Sequence, residues 1–204
     1  MTTQKERLAH TERAIIDALI KVGRTKPLAQ ISISDISRVS GINRGTFYLH
    51  FIDKDDLVTQ VRDKLTAQIQ MILDHKITGT MDYRQLSTNE PYPVIVDIVN
   101  LIAQNRELFR FLLGPNGDPQ FVPQVTDRLQ KAIYQELYRV KGSPNFRGDV
   151  PNQYAIRLII NVFMTIVATW LDSDDDMSAA DVAALIMKSL YLSPYNMLGI
   201  DDRN

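Results

Sequence analysis

The side chains best suited to recognising another molecule lie in residues 31–57, which read ISISDISRVSGINRGTFYLHFIDKDDL. Two short helix patterns meet at Gly41, and the second contains the polar and aromatic run of residues 43–51. This layout is typical of a helix-turn-helix, which places its second helix in the DNA major groove. The segment therefore predicts DNA recognition.

Few other residues offer chemistry. The chain has no cysteine, no metal-ligand cluster, no glycine-rich phosphate loop and no nucleophile with a nearby base, and its three histidines lie far apart. Residues 173–176, SDDD, lack the Gly and Glu of a calcium loop, so a solvated turn is the simpler interpretation. We expect no metal and no cofactor. Of the functions considered, catalysis is the one that these residues favour least.

The second helix of this motif needs one face for anchoring and one for recognition. The anchoring face is predicted to comprise Ile36, Val39, Ile42, Phe47 and Phe51. The outer surface is left to Arg44, Gly45, Thr46, Tyr48, Leu49 and His50.

Several of these outer residues, and one just beyond them, suit DNA. Arg44 can bind a guanine edge or a phosphate, whereas Tyr48 and His50 suit phosphate oxygens. Lys54 stands in the first turn of the next helix, where backbone N–H groups also favour anions. Each of these residues could equally be a half-exposed helix residue without a partner.

Gly45 is costly inside a helix, by roughly 0.5–1 kcal/mol, so its presence needs a reason. Close approach of the backbone to DNA is one reason, and a crowded contact between helices is the other. The sequence leaves both open.

Composition and charge are those of an ordinary globular protein, with 45% hydrophobic and 23% charged residues among 204. The net charge of −1 conceals a basic front: residues 1–26 contain six basic and three acidic residues. That surplus suits a phosphate-binding end, although a solvated helix face explains it equally well. The polar start MTTQKERLAH predicts no signal peptide, which fits a bacterial cytoplasm.

The apolar periodicity predicts an all-α fold of about nine helices with no strand. We expect a three-helix DNA-binding domain over residues 1–64, joined by a long helix to a larger helical domain over residues 65–204. The longest apolar stretch, residues 158–171, is shorter than the about 20 residues that span a bilayer, so it predicts a buried helix.

The helix-turn-helix segment resembles the DNA-binding domain of the tetracycline-repressor (TetR) family of bacterial regulators. The resemblance covers residues 8–62 and rests on Ser32-Ile33, Asp35-Ile36, Gly41-Ile42, Arg44 to Tyr48, His50-Phe51 and Lys54 to Leu57. It implies that Arg44, Gly45, Thr46, Tyr48 and His50 line the DNA face and that Lys54 touches phosphate. With the two N-caps and Leu49, the expected DNA-binding set is Ser32, Asn43, Arg44, Gly45, Thr46, Tyr48, Leu49, His50 and Lys54.

The second half resembles a Firmicutes-type subgroup of that family, which includes regulators similar to the dihydroxyacetone-kinase activator. The stretches that carry this likeness are residues 92–119 and Trp170-Leu171, while residues 160–164 lack the expected glycines.

Two apolar helices near the C-terminus predict a homodimer, in which two helices per subunit form a four-helix interface. A monomer core is the alternative. The interface is expected to comprise Ile159, Phe163, Ile166, Trp170, Val182, Ile186 and Leu190.

Polar or aromatic residues on otherwise apolar helices are candidates for an effector pocket, although each could instead be an ordinary core or surface residue. These candidates are Asn100, Arg106, Arg110, Tyr154, Arg157, Asn161 and Trp170. The resemblance implies a homodimeric repressor that binds a palindromic operator and is released by a small molecule. The alternative is a co-regulator or activator whose second domain docks a protein partner.

Overall fold

The structure is a computed structural model that describes residues 4–81, 90–146, 148–173, 177–190, 192 and 194–199. These residues are helical, with no strand among them. The predicted all-α class is confirmed, and the described part of the chain contains nine helices of five residues or more. The helices are α1 (Gln4–Gly23), α2 (Ile33–Ser40), α3 (Arg44–Tyr48), α4 (Lys54–Lys76), α5 (Pro93–Gln104), α6 (Arg106–Leu113), α7 (Phe121–Lys141), α8 (Asn152–Asp172), α9 (Ala179–Ser189) and the short α10 (Pro194–Met197).

The chain divides into two compact units. The first comprises Met1–Ala67 and Glu107–Pro123, and the second comprises Gln68–Arg106 and Gln124–Asn204. Helix α4 contributes residues to both. The predicted boundary near residue 64 stays a prediction about independent domains, whereas these units describe how the chain is packed.

The core of the first unit includes the buried face of α3. Ile15, Leu19, Ile36, Phe47 and Leu57 are fully buried together with residues of α4. The later segment of this unit packs by Phe109 and Phe121, whose ring centroids lie 5.7 Å apart, and by Phe111.

The same segment is fixed to the unit by polar contacts. Arg62 of α4 donates to Asp118 at 2.8 Å, and both side chains are almost wholly buried. Arg24 and Glu107 form an exposed ion pair at 2.7 Å. Residues 107–123 are thus part of the first unit, although they follow it by 40 residues in the sequence.

The second unit is a bundle of α5, α7, α8, α9 and the end of α4. Ile98 and Val99 of α5, Ile156 of α8, and Val182 and Ile186 of α9 are buried in it. Two helices begin with a capping box, α2 with Ser32 and Asp35 and α9 with Ser178 and Asp181. The N-cap expected at Ser32 is thereby confirmed.

One expectation needs correction and another lies largely outside the described residues. Val39 was expected to anchor the recognition helix, but it is 36% exposed, and the nearby Ser37 is buried instead. A 3-10 turn at Leu28–Gln30, for which there was no prediction, precedes α2. Of the predicted turn at residues 173–176, residues 174–176 lie outside the described part.

Candidate functional site

The turn between α2 and α3 is made by local chemistry. Gly41 has a φ of 74°, a left-handed conformation that favours glycine, and it ends α2. Two residues later the side-chain oxygen of Asn43 accepts from the backbone N–H of Thr46 at 2.7 Å and from its hydroxyl at 3.1 Å. This N-cap, predicted from the sequence, fixes where the recognition helix begins.

The back of α3 is anchored by aromatic packing. Phe47 is fully buried, and its ring lies 5.7 Å from that of Phe51. Ile36 of α2 is also fully buried in the first unit. The anchoring role predicted for these three residues is confirmed, so α3 presents a fixed outer face.

The outer face of α3 and the turn after it is exposed and amphipathic. Tyr48 is 55% exposed, and Leu49, which was expected in the DNA-binding set, is 81% exposed. Arg44 is also exposed, and its guanidinium donates to the hydroxyl of Ser34 on α2. Ile52, which no sequence pattern singled out, is 79% exposed just after this turn.

The surroundings of Gly45 bear on the two explanations for this glycine, close approach of DNA and a crowded contact between helices. A Cβ at this position would meet only the Asn43 side-chain oxygen, at 3.2 Å, among the described residues, and Gly45 is exposed. A crowded contact between helices is therefore not the reason for this glycine within one chain. Close approach of DNA remains as the prediction.

His50 was expected on the outer surface, and the structure corrects this. Its side chain is only 5% exposed, and its Nδ1 lies 3.6 Å from a carboxylate oxygen of Glu12 on α1. The ring also stacks obliquely near Phe51, with centroids 6.3 Å apart. In this arrangement the imidazole faces α1 rather than a phosphate.

The Lys54 side chain forms hydrogen bonds within its own chain. Its ammonium donates to the carbonyl of Leu28 at 2.9 Å and to that of Ala29 at 3.4 Å, which closes the 3-10 turn. The first-turn N–H of Asp56 is already taken by the Asp53 side chain at 2.8 Å. The predicted anion site at the start of α4 is thus partly occupied by the chain itself.

Ser32 belongs to the α2 cap. Its hydroxyl accepts from the backbone N–H of Asp35 at 3.2 Å and donates to the Asp35 carboxylate at 2.8 Å. A hydrogen bond from Lys26 at 2.7 Å, followed by those from Ser32, holds the pKa of the Asp35 carboxyl well below its ordinary value. This charged network fixes the start of α2, on which α3 rests.

The second unit contains a partly open cavity of about 390 Å³. Its walls come from α4, α5, α7, α8 and α9 and from the turn at residues 77–81. The walls are almost entirely apolar, with side chains such as Leu73, Ile98, Leu129, Ile160 and Phe163. The volume lies within the usual range of ligand sites, roughly 300–1,000 Å³.

None of the predicted effector-pocket residues lines this cavity, and their role as ligand contacts stays a prediction. Tyr154, Arg157 and Asn161 lie on the exposed side of α8. Asn100 lines a shallow open groove beside α4, and Arg110 is an exposed residue of the first unit. The sequence singled out polar residues on apolar helices, whereas this cavity is lined mainly by the apolar residues of those helices.

Arg106 and Trp170, which were also considered as ligand contacts, instead hold the end of α8. The Arg106 guanidinium donates to the Trp170 carbonyl at 2.5 Å and lies 4.8 Å from the centre of its ring. The indole N–H of Trp170 donates to the carbonyl of Met177 at 3.0 Å.

The residues predicted for a dimer interface divide into different environments. Ile159, Phe163, Ile186 and Leu190 line the cavity. Trp170 and Val182 are buried within a single chain, and Ile166 is half-buried. Burial within one chain already accounts for Trp170 and Val182, and the dimer interface itself stays a prediction.

The exposed apolar side chains of these helices are different ones. Leu158 of α8 is 63% exposed, Tyr154 lies one turn before it, and Leu185 of α9 is also exposed. By length and composition alone α8 could cross a membrane, and 28% of its apolar window is buried.

Two family models match the chain. Residues 15–61 match the bacterial regulatory proteins of the tetR family, and residues 89–191 match a transcriptional regulator C-terminal region. With the geometry of α2 and α3, these matches define a helix-turn-helix regulator of transcription and not an enzyme. The chain belongs to the TetR family of bacterial DNA-binding regulators.

Curated relatives agree. The chain is 28% identical over 125 residues to an uncharacterized HTH-type transcriptional regulator, YxbF of Bacillus subtilis, with 61% of this chain and 32% of that protein covered. It is 34% identical over 62 residues to the HTH-type transcriptional regulator EthR of Mycobacterium tuberculosis, with 30% and 29% covered. The chain spans about a third of the length of the curated relatives it matches.

Solved structures share the fold. A putative TetR-family regulator from Syntrophomonas wolfei matches with a TM-score of 0.64 at 19% identity, covering 99% of this chain and 100% of that one. A TetR regulator from Streptococcus agalactiae matches with a TM-score of 0.57 at 19% identity, covering 92% and 97%.

Proposed function

We propose that this TetR-family regulator is a homodimeric, cytoplasmic repressor that binds a palindromic operator and leaves it when a small molecule binds. The observation that carries the DNA-binding part is the outer face of α3, where Arg44, Tyr48 and Leu49 are exposed on a helix anchored by Phe47. Family membership supports transcription regulation as the outcome.

The proposed DNA contacts follow from exposure. Arg44 would leave Ser34 to bind a base edge or phosphate, and the Tyr48 hydroxyl would reach a phosphate. Gly45 would allow close approach of the backbone. His50 and Lys54 would act indirectly by holding α3 and the 3-10 turn, because their side chains are already engaged.

A dimer is proposed because α8 and α9 leave apolar side chains in water. Tyr154 and Leu158 of α8 and Leu185 of α9 would be covered by the same surface of a second copy around a two-fold axis. Two copies of α3 about 34–36 Å apart would then enter successive major grooves, which requires an operator with inverted symmetry.

The cavity of the second unit supports a small-molecule effector over the alternative of a docked protein partner, since it is a concave apolar space whose deeper walls, such as Leu73, Ile98 and Ile160, are buried. A ligand that prefers the conformation with lower DNA affinity would release the operator by linkage. Membership in the dihydroxyacetone-kinase-activator-like subgroup stays a prediction that rests on residues 92–119.

A binding titration tests this proposal. Fluorescence anisotropy with a duplex enriched for binding should give a specific affinity that Arg44→Ala weakens by about tenfold or more, as loss of one bidentate base contact predicts. The exposed Tyr138→Ala, on α7 in the other unit, is the matched control and should leave the affinity unchanged. Equal affinity of the wild type and Arg44→Ala for enriched and random duplexes would contradict it.

A further inference from the structure

We propose that the cavity in the second unit binds an uncharged, largely hydrocarbon molecule and discriminates against ionised analogues of the same shape. The proposal adds a ligand class to the effector role given above. Only the release of the operator by that ligand rests on the proposed function. What carries it is a wall chemistry that offers contact surface for carbon and no partner for charge.

The size of the cavity calls for an occupant. Protein interiors are close-packed, and voids much larger than a water molecule are few. A space of about 390 Å³ would accept roughly a dozen non-hydrogen atoms, at about 30 Å³ for each water-sized group. Five helices contribute to its walls, so the space belongs to the architecture of the unit rather than to one misfitting side chain.

The walls offer almost no polar chemistry. Among the described residues that line the cavity there is no Lys, Arg, His, Asp or Glu, and polar oxygens come from Thr80 and Tyr92. The Thr80 hydroxyl already donates to the carbonyl of Ile77 at 2.7 Å, so it offers an acceptor rather than a donor. From the lining residues that the structure describes, a ligand hydroxyl has a partner, but a carboxylate has no cation.

A charged pair that adjoins the lining turn is already satisfied. Glu136 precedes the lining residue Leu137 and is 2% exposed. Its carboxylate accepts hydrogen bonds from Nε and Nη2 of Arg139, each at 2.7 Å, and from the backbone N–H of Gly79 at 2.8 Å. Gly79 lies within the lining turn. This network fixes the turn and lowers the pKa of Glu136 through the Arg139 hydrogen bonds, so it offers no unpaired charge to a ligand.

An ionised head group would therefore lose its hydration without gaining a partner, which is strongly unfavourable. A neutral hydrocarbon loses nothing of that kind and gains contact with the walls on several sides. Charge discrimination is thus the property that the cavity predicts most sharply.

The test compares three compounds with ten carbon atoms in a straight chain and similar size: 1-decanol, decanoate and decylammonium. Calorimetry on the full chain without DNA should show decanol binding, with decanoate and the cation weaker by at least about 100-fold at pH about 8. The apparent affinity for decanoate should rise about tenfold for each pH unit lowered toward the ordinary pKa of the acid, because the neutral form binds. No binding of decanol, or equal binding of decanoate at that pH, would overturn the proposal.

A charge variant provides the second arm. Met81 lines the cavity and is half-exposed, so Met81→Lys introduces a cation with little demand on the core, and Met81→Leu is its matched control. Met81→Lys should bind decanoate at least about tenfold more tightly than Met81→Leu does. Unchanged discrimination in a folded Met81→Lys would count against the cavity as the binding site.

Operator release is measured separately. Decanol binding that leaves DNA affinity unchanged would contradict the proposed effector role and leave the ligand class standing. Release of DNA by an ionised compound that displaces decanol from the cavity would overturn the ligand class and leave the effector role standing.

Discussion

Adjacent residues on α3 have opposite tasks. Phe47 is fully buried, whereas its neighbour Tyr48 is 55% exposed. One residue of this short helix thus contributes to folding and the next is free for DNA. The two positions allow stability and recognition to be separated by single substitutions.

Tyr48→Ala should weaken operator binding by about tenfold, the loss of one hydrogen bond to a charged phosphate, with an unchanged melting temperature. Phe47→Ala, its matched partner, should lower the free energy of unfolding by about 3–5 kcal/mol because it empties a fully buried site. Anisotropy and denaturant unfolding check the pair. A Tyr48→Ala protein with full DNA affinity would remove this residue from the interface.

Gly45→Ala is a second substitution that separates an effect on DNA affinity from an effect on stability. The new methyl would meet only the Asn43 oxygen, at 3.2 Å, and Ala is the better helix former by about 1 kcal/mol. We expect stability within about 0.5 kcal/mol of the wild type and a marked loss of DNA affinity.

Gly23→Ala is the contrasting substitution. Its Cβ would lie 2.2 Å from the buried ring of Phe111, so it should destabilise the first unit. If Gly45→Ala bound DNA as tightly as the wild type, close backbone approach would no longer explain this glycine.

The limits of sequence reasoning are visible at this scale. Asn43, Phe47 and the capping box at Ser32 were predictable because their partners lie within four residues. His50 and Lys54 were not, since Glu12 and Leu28 are distant in sequence and only the fold brings them together.

At the scale of the helix, the start of α2 is stabilised by the charge of Asp35. Asp35 has a lowered pKa, so the folded state holds fewer protons on it than the unfolded chain does near pH 3–4. Its contribution to stability is present above the unfolded pKa of about 3.9 and is lost as pH falls through the lower folded value.

Asp35→Asn should therefore destabilise the protein at pH about 7, with a smaller difference from the wild type at pH about 3. Other carboxylates with lowered pKa values, such as Asp56, cancel in this comparison because both proteins retain them. Denaturant unfolding at both values measures the difference. A gap that stays constant with pH would show that the Asp35 charge contributes nothing through Lys26.

Sequence periodicity located α8 and α9 but not the partition of their faces. A helix that is apolar nearly all round gives no signal for which residues meet the core, the cavity or a second copy. Ile159 and Phe163 line the cavity, whereas Leu158, which directly precedes Ile159 and lies on another face of the helix, is exposed. That partition depends on the positions of α5 and α7, which no local pattern encodes.

At the scale of the molecule, dimerisation follows from the exposed side of α8. Leu158→Arg should convert the dimer to a monomer in sedimentation while leaving helicity intact, because this side chain is 63% exposed in one chain. Operator affinity should fall with it, since a single recognition helix makes half the contacts.

The matched control places the same charge on another helix. Tyr138→Arg alters an equally exposed position of α7 and should leave the dimer unchanged. A dimeric Leu158→Arg protein would move the interface away from α8.

The most direct measurement of the central claim is selection of bound sequences from a random duplex pool, at a stated salt concentration because phosphate contacts make affinity depend on it. The wild type should enrich an inverted repeat whose half-sites are one helical turn apart, about 34–36 Å, and Tyr48→Ala should enrich it less. A folded wild-type dimer that enriches no sequence would contradict the assignment of α3 as a recognition helix.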